Sequence, residues 1–373
     1  MKILYITTIA STMRFFSDLF KKLSEDGYKV ELACNTDERV NDDIISQYKT
    51  HNLPFSRSPN SKENFKACRQ LKKLVTENHY DIIHCHTPNA AAITRLVCRG
   101  IRKTGTKVIY TAHGFHFYKG APLENWLLYY PVEWLCAHWT DVLITINKED
   151  YALAKKRLKA RIVRYVPGVG IDLSKFSRQL FSEEECNKVR KEVGVPEKTH
   201  WLLSVGELND NKNHETVLRA IVKIKCVYYT IAGVGSNLKR LKELARELGI
   251  ADRVIFLGYR NDVSLLCKAA DIFVMPSFRE GLSVALMEAM ASGMPCCVSK
   301  IRGNVDLIDD KGGTLFEPHS VDGCRTAIKN LLTSDLRLLG ENNRSKIKHF
   351  DIKVIENTMN EIYFRNRGGS TPR

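Results

Sequence analysis

The stretch Pro276–Ser299, PSFREGLSVALMEAMASGMPCCVS, decides the fold of this chain. Just before it, Ala270–Met275 (ADIFVM) is a short apolar run of strand length, and Pro276 closes it. Gly281 loosens the turn that follows. Ser283–Ala291 carries helix-forming residues until Gly293 and Pro295 stop them. Cys296–Ser299 then reads as the next strand. Strand, loop, helix and strand in so short a span form the repeating unit of a parallel sheet.

Two glutamates, Glu280 and Glu288, sit in that unit, one in the loop and one inside the helix. The first N–H groups of a helix have no acceptor within it and lie at the positive end of its dipole. Those of Leu282, Ser283 and Val284 are therefore placed to receive a phosphate. Side chains lean toward the helix N-terminus. At ~1.5 Å per residue Glu288 lies roughly 8 to 9 Å along the axis, within reach of ribose hydroxyls beyond a phosphate. Glu280, in the loop, would meet a sugar. Taken alone, two glutamates are more simply a solvated loop charge and a surface helix residue. The apolar helix face, the Gly-x-Pro stop, the following strand and the Gly303-Asn304 turn argue against that.

On these residues the chain resembles the GT-B glycosyltransferases, and among them the retaining family 4 enzymes, whose most specific mark is the Glu-x(7)-Glu pattern. The resemblance spans essentially the whole chain and is strongest from Gly258 to Asn304. It implies an α/β fold of two Rossmann-like doubly wound domains facing across a cleft. The alternation of apolar runs with amphipathic helices agrees. Strands are expected at Lys2–Thr7, Lys29–Cys34, Asp81–Cys85, Lys107–Thr111, Val142–Ile146 and Arg164–Val166, then at Trp201–Val205, Tyr228–Ala232, Arg253–Leu257, Ile272–Met275 and Cys296–Ser299. The glycine-rich PGVGIDLSKF (Pro167–Phe176) and the charged stretch Ser182–Lys198 read as the interdomain linker. The expected domains are 1–175 (acceptor), 176–350 (nucleotide-sugar donor), a helix at 351–367 returning to the first domain, and a disordered tail at 368–373.

The 373 residues, 44% apolar and 27% charged, have an ordinary soluble composition of two-domain length. No apolar run reaches membrane-spanning length, and the first residues show no signal-peptide pattern. The cysteines are scattered without a C-x-x-C pair, and Cys34, Cys136, Cys226 and Cys297 fall in apolar runs, as expected of reduced thiols in a cytoplasm. The net charge of +15 is uneven: residues 1–180 hold 28 Lys and Arg against 17 Asp and Glu. Such an excess suits an anionic partner, either a membrane surface, a phosphorylated lipid or nucleic acid.

His113 opens HGFHFYKG after a first-domain strand, and the resemblance implies that it faces the donor sugar. His84 and His86 lack further ligands nearby for a metal and read as cleft or core residues. Gly206 and Lys212 match the family's diphosphate-binding loop, but Glu207 stands where an arginine is usual; Arg279 and Arg302 are the candidates to supply that charge. Gly233-Val234-Gly235 allows close backbone approach. Tyr259 and Arg260 lie in a segment resembling the family's base-binding turn. Thr8, in the stretch where relatives carry a double glycine, is assigned with Phe115 and Lys119 to the acceptor side. No Asp-x-Asp triplet occurs, which favours a metal-independent mechanism without cofactor. The aromatic stretch Pro122–Thr140 suits either a lipid headgroup layer or packing on the sheet.

The resemblance thus implies a retaining glycosyltransferase (EC 2.4) moving a sugar, N-acetylhexosamine or hexose, from a UDP-sugar to a lipid-diphosphate-linked glycan. Its nearest likeness is to exopolysaccharide and capsule assembly enzymes, peripheral on the inner face of the cell membrane. A UDP-N-acetylhexosamine 2-epimerase on the same fold is the alternative enzyme. A basic nucleic-acid-binding protein is suggested by charge alone and has no binding signature to support it.

Overall fold

The structure, a computed structural model, describes residues 1–36, 43–176 and 180–364. They form two compact units: Met1–Val169 with the residues from Ile355 on, and Gly170–Val354. The expected tail, 368–373, lies outside the described residues, as does 365–367 at the end of the expected final helix.

The first unit is built on β1 (Lys2–Ile9), β2 (Lys29–Asn35), β3 (Lys49–Asn52), β4 (Ile82–His86), β5 (Lys107–Ala112), β6 (Val142–Thr145) and β7 (Ile162–Tyr165). Their order is β3-β2-β1-β4-β5-β6-β7, every neighbouring pair parallel. Alternate residues of a strand face opposite sides of a sheet. Leu4 and Ile6 of β1 accordingly enter one buried cluster with Ile83, Val108 and Tyr110, while Ile3 and Tyr5 enter another with Leu32, Ile109 and Ile144. Helices cover both faces, as a parallel sheet requires.

The second unit repeats the plan with β8 (His200–Val205), β9 (Val227–Ala232), β10 (Val254–Gly258), β11 (Ile272–Met275), β12 (Cys296–Ser299) and β13 (Gly313–Phe316). The order is β10-β9-β8-β11-β12-β13, again all parallel. Two strands, β3 (KTHN) and β13 (GTLF), are additions to the sequence expectation. Both lie at sheet edges, where one face of pairing suffices and the apolar pattern is short or lacking. The charged stretch read as linker holds a helix, Glu183–Glu192. Ser182 caps it and Glu185 returns the bond to the Ser182 N–H, a complete capping box.

The final helix, Ile352–Phe364, buries Ile355, Met359, Ile362 and Tyr363 in the first unit's core. Its Tyr363 hydroxyl hydrogen-bonds both Tyr5 and the Nδ1 of His84, the latter at 2.8 Å. Residues at the far end of the sequence therefore complete the face that β1 and β4 present. Met359→Ala should destabilise the fold by about 2–5 kcal/mol, the usual range for emptying a buried methionine site, measured as a lowered urea midpoint; an unchanged midpoint would mean the helix is not part of this core.

Candidate active site

In open parallel sheets, ligands bind beyond the carboxyl ends of the strands where the strand order reverses. In the second unit that point lies between β8 and β11, and the loops leaving these two strands bring opposite charges together. Lys212 Nζ is 2.7 Å from Glu280 Oε1, with both side chains largely buried.

Asparagines hold this pair in place. Asn209 Oδ1 accepts the Lys212 N–H at 3.0 Å and fixes the one-turn helix Asp210–Lys212. Asn211 donates its amide to the Arg279 carbonyl at 2.9 Å and accepts the Phe278 N–H at 2.8 Å. Asn213 takes a left-handed conformation, φ 51°, and donates to the Pro276 carbonyl at 3.0 Å. The two loops are thus stitched side by side, with Gly206 beneath the Lys212 stem. Gly233 closes the floor: a Cβ there would fall 1.8 Å from the Gly206 carbonyl oxygen.

After Glu280 the chain enters helix Val284–Ala291, with Ser283 as N-cap accepting the Leu286 N–H. That capping bond uses one first-turn donor and leaves those of Val284 and Ala285, which no residue within the helix can satisfy. Leu282 and Ser283 are buried and Val284 is half-buried. Glu288, inside this helix, is half-buried, and burial pushes its carboxyl up to about 7. A charge held from water without compensation is disfavoured.

Of the candidate replacements for the missing arginine, Arg279 is exposed and Arg302 is buried. Arg302 adjoins Gly303, whose φ of 79° lets it approach so closely that a Cβ would lie 2.3 Å from the Gly281 oxygen. The loop after β12 therefore leans on the loop before the helix. Glu207 is exposed. Tyr259 is 73% exposed, and the Arg260 guanidinium is engaged by Asp262 at 2.7 Å and Glu192 at 3.3 Å.

Residues 2–147 match the family model "Glycosyl transferase 4-like" and residues 186–348 match "Glycosyl transferases group 1". EpsD of Bacillus subtilis, assigned to the glycosyltransferases, is 36% identical over 97% of this chain and 96% of its own length. The UDP-Gal:alpha-D-GlcNAc-diphosphoundecaprenol alpha-1,3-galactosyltransferase of Escherichia coli is 27% identical over 92% of this chain and 91% of its own. The chain belongs to the family 4 glycosyltransferases. Its fold is GT-B: Anabaena HepE, solved with UDP and glucose, superimposes with a TM-score of 0.80 over 97% of this chain and 99% of its own, at 18% identity.

In the enzyme's first unit the order reverses between β1 and β4. There Thr8 is buried, its hydroxyl 2.8 Å from that of Thr87, and both line a cavity of about 240 Å³. A neighbouring apolar cavity of about 420 Å³ is lined by Phe115, Phe117, Leu128 and Tyr129. Phe115 is buried and donates its N–H to Asp150 at 3.1 Å, whereas Lys119 is exposed, its N–H donated to Glu149 at 3.0 Å.

His113, at the end of β5, is half-buried, and its Nε2 is 3.0 Å from His86 Nδ1. Burial lowers His113 to about 4, so the imidazole is neutral at pH 7. His84 Nε2 meets the Thr111 hydroxyl at 2.8 Å while its other nitrogen meets Tyr363, so both nitrogens are spent on structure. His86, read from the sequence only as a cleft or core residue, is the one that contacts His113. Only its spacing in HCH, at the end of a strand next to β5, signalled it. Gly233→Ala should cost about 1–3 kcal/mol by overpacking, seen as a lower melting temperature; full stability would show that the Gly206 loop is free to move away.

Proposed function

We propose that this glycosyltransferase moves a sugar, N-acetylhexosamine or hexose, from a UDP-sugar to a lipid-diphosphate-linked glycan in bacterial surface polysaccharide assembly, with retention at the anomeric carbon, on the inner face of the cell membrane. The observation that carries the donor half is the Lys212–Glu280 pair at the β8/β11 reversal, beside a helix that bears a half-buried Glu288. An ammonium and unsatisfied amides suit a diphosphate, and a carboxylate one or two turns further along suits ribose hydroxyls. The acceptor half is supported by the E. coli relative, whose name specifies a diphosphoundecaprenol-linked sugar, and by the apolar cavity of the first unit.

On this reading the acceptor hydroxyl attacks C1 of the sugar on the side from which the diphosphate departs. The C1–O bond to phosphate breaks, the new C1–O bond forms on the same face, and the hydroxyl proton passes to the departing phosphate oxygen. Lys212 and the amides of Val284 and Ala285 stabilise the charge growing on UDP, a task done by preorganised donors and needing no metal. Glu280 is poised between Lys212 and the sugar. His113, oriented by His86, offers the sugar a neutral imidazole. Arg302 is the better placed of the two arginines to add charge near the helix start, and the main chain of Gly258–Arg260 is left to read the base.

Kinetics of two variants separate these roles. Glu288→Ala should raise the KM for the UDP-sugar by about 10- to 100-fold with a smaller change in kcat, whereas His113→Ala should lower kcat by about 10²-fold or more with KM little changed. Unchanged constants in both would refute the assignment, and conversion of the donor without any acceptor would instead favour the epimerase.

The raised pKa of Glu288 gives a pH signature. If ribose hydroxyls donate to the ionised carboxylate, binding competes with protonation, so affinity rises with pH through about 7 and falls below it. UDP affinity should therefore increase about tenfold from pH 6 to pH 8, measured by calorimetry, and Glu288→Gln should flatten this dependence. An equally steep profile in that variant would assign the titration elsewhere.

A further inference from the structure

The helix Leu123–Ala137 has a Pro at its centre and no charged residue on its outer side except Glu124. Its inner side is rigidly held. Glu133 accepts both ends of the Arg95 guanidinium at 2.8 and 3.0 Å, Tyr110 joins them at 3.3 Å, and Tyr130 and Trp126 pack on Phe117. The outer side is apolar and bare: Leu123, Leu127 and Leu128 are 72%, 67% and 66% exposed, and Val132, Trp134 and Leu135 are exposed as well. Helices on protein surfaces normally turn polar residues outward, and so large a contiguous apolar patch marks a binding surface.

Cations stand at both ends of it. The Arg157 guanidinium lies 5.5 Å from the Trp126 ring near the start of the helix, and that of Arg99 lies 5.8 Å from the Trp139 ring just past its end. Both arginines are exposed. The apolar strip runs on into the first unit's cavity, whose wall includes Leu128 and Val132.

We propose that this helix lies in the headgroup layer of an anionic bilayer, its leucines among the upper acyl chains, Trp134 at the interface, and Arg99 and Arg157 on lipid phosphates. It deepens, and rests on, the lipid-linked acceptor proposed above, since a lipid carried in that bilayer would meet the cavity mouth beside the helix. An apolar face with amphipathic rings and flanking basic residues is the physical form of an interfacial helix. A second copy fits less well: in either orientation two such helices would set arginine against arginine at their ends.

Cosedimentation with phosphatidylcholine vesicles holding about 30 mol% phosphatidylglycerol tests the surface. The whole chain should bind, less so at high salt, and the triple variant Leu123→Ser, Leu127→Ser, Leu135→Ser should lose about tenfold or more in partition while keeping the melting shift that UDP gives. Equal partition of the variant overturns the proposal. So does a dimer that this variant dissolves in a protein indifferent to vesicles. In the unaltered chain, brominated phosphatidylcholine in those vesicles should quench tryptophan fluorescence, and Trp134→Phe should remove much of that quenching; no quenching overturns the proposal even if the triple variant fails to fold. Loss of the UDP shift in the unaltered chain would count against the donor reading and leave the surface to the vesicle result.

Discussion

The loops at the β8/β11 reversal are organised around one contact, the ion pair of Lys212 with Glu280. Sixty-eight positions separate the partners, and only the β8-β11 pairing makes them neighbours. Taking two charges out of water is costly and is repaid only by good geometry and further hydrogen bonds. Geometry supplies that here: Asn211 and Asn213 bond the Arg279 and Pro276 carbonyls and tie the two loops together, and Asn209 fixes the turn that carries Lys212. The result is a cation whose position is set before any ligand arrives. On the proposed reading, a diphosphate entering here would meet an ammonium that is already partly neutralised, and Glu280 would be released to other hydroxyls once phosphate took its place.

The two carboxylates of the Glu-x(7)-Glu pattern thus live in different electrostatic settings. Glu280 faces a cation, while Glu288 is held from water with its carboxyl pushed up to about 7. The histidine of the first unit is the converse case: burial drives His113 down to about 4, and its neighbour His86 is lowered as well. Neutral imidazoles and a single proton between them make a positioning device rather than a proton store. Chemistry that asks only for charge stabilisation and alignment is the kind such groups serve.

Much of this was legible in the sequence where a signal is local. Apolar runs followed by turn residues marked the interior strands, and the Ser283 cap with the Gly293-x-Pro295 stop framed the helix that carries Glu288. Two of the four edge strands escaped, β3 because KTHN is polar throughout and β13 because GTLF is a short run opened by glycine. Long-range pairings escaped too: nothing in the order of residues joins Lys212 to Glu280, His86 to His113, or Tyr363 to His84. The sequence showed Glu207 where an arginine is usual but not that its side chain is exposed, since exposure is a tertiary property. Exposure also separates Arg279 from Arg302, which the sequence left equivalent. The aromatic stretch left two roles open, and the structure divides it: Trp126 and Tyr130 pack inward on Phe117, while Trp134 and the leucines are exposed.

A crystal structure of the enzyme with UDP is the most direct test. The β-phosphate should lie within hydrogen-bonding distance of Lys212 Nζ and of the Val284 and Ala285 amides, with the ribose hydroxyls on Glu288. UDP bound away from the end of β11, or bound there with Lys212 still held by Glu280 and Glu288 touching no ligand atom, would contradict the donor reading.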